Sequence, residues 1–159
     1  MSHLHFKLKK RVLVNYNFMN INAAINEGKS ILSKGLVPTA QLDSELLMSK
    51  IINKDRKDII LYKDEKLNLE MYENFKFLIQ ERLKRKPVAY LLEKKDFWKY
   101  QFKISEGVLI PRPDTEILIE EVLKVTKYRP KLKILDIGVG SGCILLSILK
   151  EKNFYKGVG

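Results

Sequence analysis

The chain has 159 residues, of which 45% are hydrophobic and 31% charged, with a formal net charge of +11 at neutral pH. That length holds one ordinary domain or two small ones, and the apolar content excludes wholesale disorder. A single cysteine, Cys143, excludes an intrachain disulfide framework and fits a reducing, cytoplasmic setting, while no apolar run reaches the ~18 residues of a membrane span.

The charge is spread along the chain, with 17 basic against 10 acidic residues up to Tyr90 and 13 against 9 beyond it. Such a field favours anionic partners such as RNA or ribosomes. Lysine far outnumbers arginine, however, and aromatic residues are not interleaved as stacking platforms, so a lysine-rich coding bias explains the charge equally well.

Residues 1–18 are read as an N-terminal extension, with Met19 as a natural start. Lys7, Lys9, Lys10 and Arg11 precede "VLVNYNFM", which is short and interrupted by Asn, and no small-residue cleavage site follows; a signal peptide is not expected. His3 and His5 have no further ligands nearby in sequence, so a solvated tail without metal is expected.

From Met19 the pattern is helical. Asn20 can cap a helix carrying Ile21, Ala24, Ile25, Ile31 and Leu32, with Gly35 as its C′ stop. Thr39 to Ile52 follows, with Leu42, Leu46, Leu47 and Ile51 on one side. Asp55 opens a short turn of helix through Tyr62. Asn68 opens a longer one through about Arg85, with Tyr72, Phe75, Leu78, Ile79 and Leu83 as its apolar stripe, read as core rather than binding surface. The basic end "RLKRK" suits the negative pole of that helix, and Pro87 breaks it. At Tyr90 the pattern changes. "FWKYQFKIS" alternates aromatic and polar residues and reads as a hairpin. In "VLIPRPDTE" two prolines around Arg112 stiffen an extended stretch, and Pro113 can begin a helix carrying Leu118, Val122 and Val125.

"KILDIGVGSG" places a strand, Leu132 to Ile137, before Gly138, Gly140 and Gly142 at alternate positions. Glycines there permit a tight strand-to-helix turn, close approach of a ligand to the backbone, and close helix packing. The third glycine comes one residue early for a dinucleotide fingerprint. Asp136, at the strand's C-terminal edge, suits a cationic amino-acid head group better than a pyrophosphate, or else it caps the turn. S-adenosylmethionine (SAM) carries such a head group. Cys143 stands at the start of the next helix and is read as a small packing residue.

"DIGVGSG" resembles motif I of class I SAM-dependent methyltransferases. The stretch from "PVAYLL" to "IPRPDTEILIEEVL", with "IPRPDTE" at Ile110 to Glu116, is similar to the HemK/PrmC family, the N5-glutamine methyltransferases of peptide chain release factors. The resemblance runs from Met19 to Gly159. It implies an α/β fold in this order: a helical substrate-recognition domain at 19–89, a β-hairpin linker at 90–110, and the beginning of a Rossmann-like methyltransferase domain at 111–159. It implies SAM as cofactor, with Asp136, Gly138, Val139, Gly140, Ser141 and Gly142 around it. It also implies a release factor as partner, its methyl acceptor a side-chain glutamine amide, in a setting possible near the ribosome and away from membranes. The Arg112 segment is expected near the cofactor mouth or as a rigid connector between domains.

The sequence departs from the family in places. Glu93 and Lys99 stand where the family usually has glycine. Its Asn-Pro-Pro-Tyr motif is missing, since none of the five prolines follows an Asn, so no catalytic residue is assigned. "YKGVG" enters a second strand without the acidic residue that would hold the cofactor ribose. The expectation is therefore a truncated chain, inactive alone, whose C-terminal part leaves apolar surface open. The alternatives are a non-catalytic helical module that binds a release factor or ribosomal partner, a nucleic-acid methyltransferase, and a decayed gene product.

Overall fold

The computed structural model describes residues 19–159. The expected N-terminal extension, with His3 and His5, lies outside the described residues. Two compact units meet in sequence between Leu92 and Glu93, later than the change of pattern at Tyr90.

The first unit is helical among its described residues. Helix α1 is Ile21–Lys34, α2 is Ala40–Ile52, α3 is Ile59–Tyr62 behind a 3-10 turn at Arg56–Asp58, α4 is Leu69–Leu83 and α5 is Val88–Leu92. The Asn20 and Asn68 side chains each accept an N–H three residues on, from Ala23 and Met71, at 2.8 Å. These bonds satisfy donors that a first helical turn leaves free. Two more first-turn donors of α1, Ile21 and Asn22, bond to the carbonyls of Glu65 and Lys63. Leu32, Leu47, Met48, Phe75 and Ile79 form the centre of the core.

Three local readings need correction. At the end of α1 the left-handed residue is Leu36, with φ 55°, while Gly35 keeps φ −79°. The buried face of α2 is Ala40, Asp43, Ser44, Leu47 and Met48, and Leu42 is exposed. Polar residues take core positions there because each has a partner. Ser44 donates to the Ile25 carbonyl at 2.8 Å. Asp43, 4% exposed, accepts from the Thr39 hydroxyl at 2.9 Å and from Arg82 Nε at 2.7 Å. Finally, the chain beyond Pro87 makes one more short helix, α5, whose last turn Lys50 meets by donating to the Leu91 carbonyl.

The second unit mixes strands and helices. Strands β1 (Lys94–Phe97) and β2 (Tyr100–Lys103) pair antiparallel, Phe97 opposite Tyr100, so Trp98 and Lys99 form a two-residue loop. Phe97 and Phe102 are buried and meet edge to face at 6.2 Å. Left-handed φ falls at Glu93 (59°) and at Trp98 (57°) rather than at Lys99. After a 3-10 turn at Pro113–Thr115, helix α6 runs Glu116–Val125. Its one fully buried side chain is Ile119, whereas Leu118 and Val125 are exposed. The tighter turn at Pro113 shifts the helical phase from the one expected for a helix starting there. Strand β3 (Lys133–Leu135), helix α7 (Cys143–Glu151) and strand β4 (Lys156–Val158) complete the unit, with β3 and β4 parallel.

Candidate functional site

The candidate site is the turn between β3 and α7. Backbone pairing carries one residue past the strand: the Asp136 N–H donates to the Val158 carbonyl at 2.9 Å, which fixes Asp136 where β3 ends. The chain then reverses through three left-handed glycines, Gly138 (φ 85°), Gly140 (φ 54°) and Gly142 (φ 74°). A side chain at any of them adds strain of about 1–2 kcal/mol. The Gly142 N–H closes the turn on the Val139 carbonyl at 2.8 Å, and the Gly142 carbonyl accepts the first helical bond of α7, from Leu146.

Glycine does more here than permit the conformation. A Cβ built on Gly138 meets nothing within 4 Å, and one on Gly140 meets only the Gly138 carbonyl, at 3.8 Å. The turn thus presents bare backbone to open space. Beside it, Asp136 Oδ2 is buried and has no hydrogen-bond partner in the structure. A buried carboxylate oxygen without a donor is costly, and such an atom is suited to a cationic or N–H-bearing ligand. Helix α7 adds its positive end, and its N-cap residue, Gly142, has no side chain to cap it.

All six residues singled out from sequence fall in this one segment. Asp136 supplies the carboxylate and Gly138 and Gly140 the open backbone. Val139 closes the turn, Ser141 accepts a long contact from the Cys143 N–H at 3.4 Å, and Gly142 starts the helix. Cys143 itself is buried. The Arg112 carbonyl accepts from Thr115 N–H at 3.0 Å, starting the turn before α6. Among the described residues no group of three or more His, Cys, Asp or Glu is placed to hold a metal, and no helix is long and apolar enough to cross a membrane.

Two features escaped the sequence reading. The first is a pair of glycines on β4 and after it. A Cβ on Gly157 would come 2.6 Å from Leu145, and one on Gly159 would come 2.6 Å from Val139. These glycines let β4 run close under α7 and close behind the glycine turn. Their spacing of two in "YKGVG" is the signal for this. The second is the Glu151 carboxylate at the end of α7. It accepts from Trp98 Nε1 at 2.9 Å and from the Tyr100 hydroxyl at 3.2 Å, and it pairs with Lys99 Nζ at 2.9 Å. Glu116 accepts the Trp98 backbone N–H at 2.8 Å. Two carboxylates therefore hold the tip of the hairpin. The hydrogen bonds from Lys99 and then Trp98 hold the Glu151 carboxyl below its usual pKa, whereas burial first, and then the Glu151 charge, raise that of Tyr100.

Comparison with known proteins shows what the chain is similar to. Residues 23–92 match the model described as the PrmC N-terminal domain. The release factor glutamine methyltransferase of Coxiella burnetii is 40% identical over 114 residues, which is 72% of this chain and 41% of that protein. The Clostridium botulinum protein of the same name is 39% identical over 77% of this chain and 43% of its own length. A bifunctional methyltransferase of Rickettsia felis is 31% identical over 83% of this chain and 30% of that protein. The chain spans less than half the length of these relatives. The helical first unit thus carries the N-terminal domain of the PrmC family, and the similarity to release factor glutamine methyltransferases runs on past it.

Proposed function

We propose that these residues form the N-terminal part of a SAM-dependent methyltransferase that acts on a glutamine side chain of a peptide chain release factor. The observation that carries the reading is the buried, unpartnered Oδ2 of Asp136 beside an open glycine turn, in a chain 40% identical over 114 residues to a protein named for that activity. In this reading β3, α7 and β4 begin a Rossmann-like sheet, and the described helices of the first unit belong to a substrate-recognition domain.

The residues present fit the cofactor. Asp136 would accept hydrogen bonds from the ammonium of its amino-acid end, the one strongly cationic N–H donor on the molecule. Gly138 and Gly140 would let it lie against the backbone, because a Cβ at either position would stand in the space it needs. Val139 and Ser141 hold the turn between them, and Gly142 directs the positive end of α7 toward it. When bound, SAM supplies a methyl group on a sulfonium, ready for transfer to a nucleophile. An amide nitrogen is a poor nucleophile, so its N–H groups must be held and aimed by acceptors. No Asn-Pro sequence lies among these 159 residues, so in this reading they bind and orient the cofactor while other residues aim the amide.

The test is a chimera in which this chain replaces the matching portion of the Coxiella burnetii relative. Incubated with SAM and a release factor, it is expected to add one methyl to a glutamine amide, read by mass spectrometry of the digested substrate. A chimera that folds, by circular dichroism, and methylates DNA or RNA instead, or nothing at all, overturns the proposal.

A further inference from the structure

The parallel pair β3–β4 has two ends. Asp136 and the glycine turn follow β3 at its C-terminal end, and positive charge gathers at the other, where both strands begin. Residues 126–135 hold four basic side chains, Lys127, Arg129, Lys131 and Lys133, and no acidic one. Residues 152–159 hold Lys152 and Lys156 and again no acid. Backbone contacts bring the two stretches together. Lys133 and Lys156 are register partners, so their side chains leave the same face of the pair. The Lys156 N–H donates to the Leu132 carbonyl at 2.9 Å, and the buried Tyr155 hydroxyl reaches the carbonyls of Thr126 and Arg129, at 3.2 and 2.7 Å.

This end differs from the other basic stretches. Lys84 pairs with Glu81, Arg82 with Asp43 and Lys124 with Glu121. Lys127, Arg129, Lys131, Lys133 and Lys156 are exposed, and among the described residues none of them is ion-paired. A lysine-rich coding bias accounts for the number of cations, but not for their collection at one place without counter-charge. Covering each of them with further protein costs several kcal/mol unless acids come with it, so this end of the pair belongs at solvent. Two aromatic rings stand among the charges. Tyr128, between Lys127 and Arg129, is 87% exposed, and Phe154, between Lys152 and Lys156, is 75% exposed. Rings of this size are normally covered. Lys127 Nζ lies 5.3 Å from the centre of the Tyr128 ring, on one face, which leaves the other face open.

We propose that this end of the β3–β4 pair binds single-stranded nucleic acid, with phosphates on Lys131, Lys133 and Lys156 and bases stacked on Tyr128 and Phe154. Cations that track a backbone, with open rings that take any base, are the combination such a strand needs. An acidic polypeptide would use the charges and leave both rings idle. A duplex keeps its bases stacked on one another and also offers the rings nothing. The surface begins about 10 Å along the strand from Asp136, so its occupant does not compete for the glycine turn. The inference therefore stands apart from the methyl-transfer reading.

The test is fluorescence anisotropy of the 159-residue chain with a labelled oligouridylate of about ten nucleotides, repeated with oligodeoxythymidylate of the same length. Saturable binding of either supports the proposal, and the tighter of the two names the strand. Affinity is expected to fall with salt, with a slope of about −2 in log K against log salt for three phosphate contacts. Lys131→Glu with Lys133→Glu is expected to weaken binding about tenfold or more and to flatten that slope. Tyr128→Ala is expected to weaken it about fivefold or more and to leave the slope unchanged. Lys29→Glu with Lys34→Glu makes the same charge change at exposed positions of α1 and is expected to alter binding by about twofold at most. Circular dichroism and Trp98 fluorescence confirm the fold of each variant. The chimera with the Coxiella burnetii relative is expected to bind as the chain does. Any of four results overturns the proposal: equal binding of polyglutamate, wild-type binding by both Tyr128→Ala and Phe154→Ala, an equal loss in the α1 variant, or no binding by a folded chimera.

Discussion

Gly28→Ala sets two known effects against each other. Gly28 lies inside α1 and is buried. Alanine in a helix interior is better than glycine by about 1 kcal/mol, so propensity alone predicts a gain. The surroundings predict the reverse. The new Cβ would stand 2.7 Å from Ser44 Oγ, 2.8 Å from Phe75 Cζ and 2.9 Å from Ile79 Cδ1. None of the three can yield freely. Phe75 and Ile79 are each 1% exposed, and Ser44 holds the Ile25 carbonyl. Overpacking a tight core costs about 1–3 kcal/mol, and moving Ser44 forfeits a hydrogen bond worth about 1 kcal/mol more. The net expectation is a loss of about 1–3 kcal/mol. With a urea m value of about 1 kcal/mol/M for a unit of this size, the midpoint falls by about 1–3 M, read by circular dichroism at a helical wavelength. Ser44→Ala in the same chain removes the nearest clashing atom and is expected to recover part of the loss. A midpoint that stays level or rises in Gly28→Ala would refute the argument that α1 and α2 meet through a glycine-sized gap.

Other outcomes follow from single contacts. Leu36 holds φ 55° with its side chain 79% exposed, so Leu36→Gly relieves left-handed strain and loses no burial; a gain of about 0.5–1 kcal/mol in urea unfolding is expected. Asp43→Ala strands the Arg82 guanidinium and is expected to cost about 3 kcal/mol, with part returned when Arg82→Met accompanies it. Glu151 has a pKa held below its ordinary 4.5, so the folded chain favours the carboxylate; its contribution is full above that value and is lost as pH falls through the lowered pKa. Trp98, the chain's one tryptophan, bonds that carboxylate. Its fluorescence is expected to titrate below pH 4.5, and the titration is expected to vanish in Glu151→Gln.

The parts legible in the sequence are those set by local rules. Asn20 and Asn68 announce helix starts because a side-chain acceptor serves an N–H only three residues on. The Asp136–Gly142 turn is visible because left-handed backbone calls for glycine at its own position. What escaped is non-local. Nothing in the apolar pattern marks Asp43 and Ser44 as buried in α2, since counting apolar residues ignores polar ones whose partners, Arg82 and Ile25, lie 39 and 19 positions away. The grip of Glu151 on the hairpin tip spans more than 50 positions and leaves no periodic trace. Leu36 rather than Gly35 takes the left-handed angle because Gly35 is the cap and Leu36 stands one residue beyond it, where its N–H bonds the Ser33 carbonyl and that of Val37 bonds the Leu32 carbonyl. The open side of the short β3–β4 pair, where Leu135 and Val158 are exposed, agrees with apolar surface left uncovered by a single crossover unit.

The central claim is that the glycine turn with Asp136 forms the floor of a SAM site. Titration of the isotope-labelled chain with millimolar SAM tests it most directly. Amide shifts are expected at Asp136, Gly138, Gly140 and Gly142, and they should weaken in Asp136→Asn, which keeps the shape and removes the charge. No shift in that segment, or equal shifts in the wild type and Asp136→Asn, contradicts the claim.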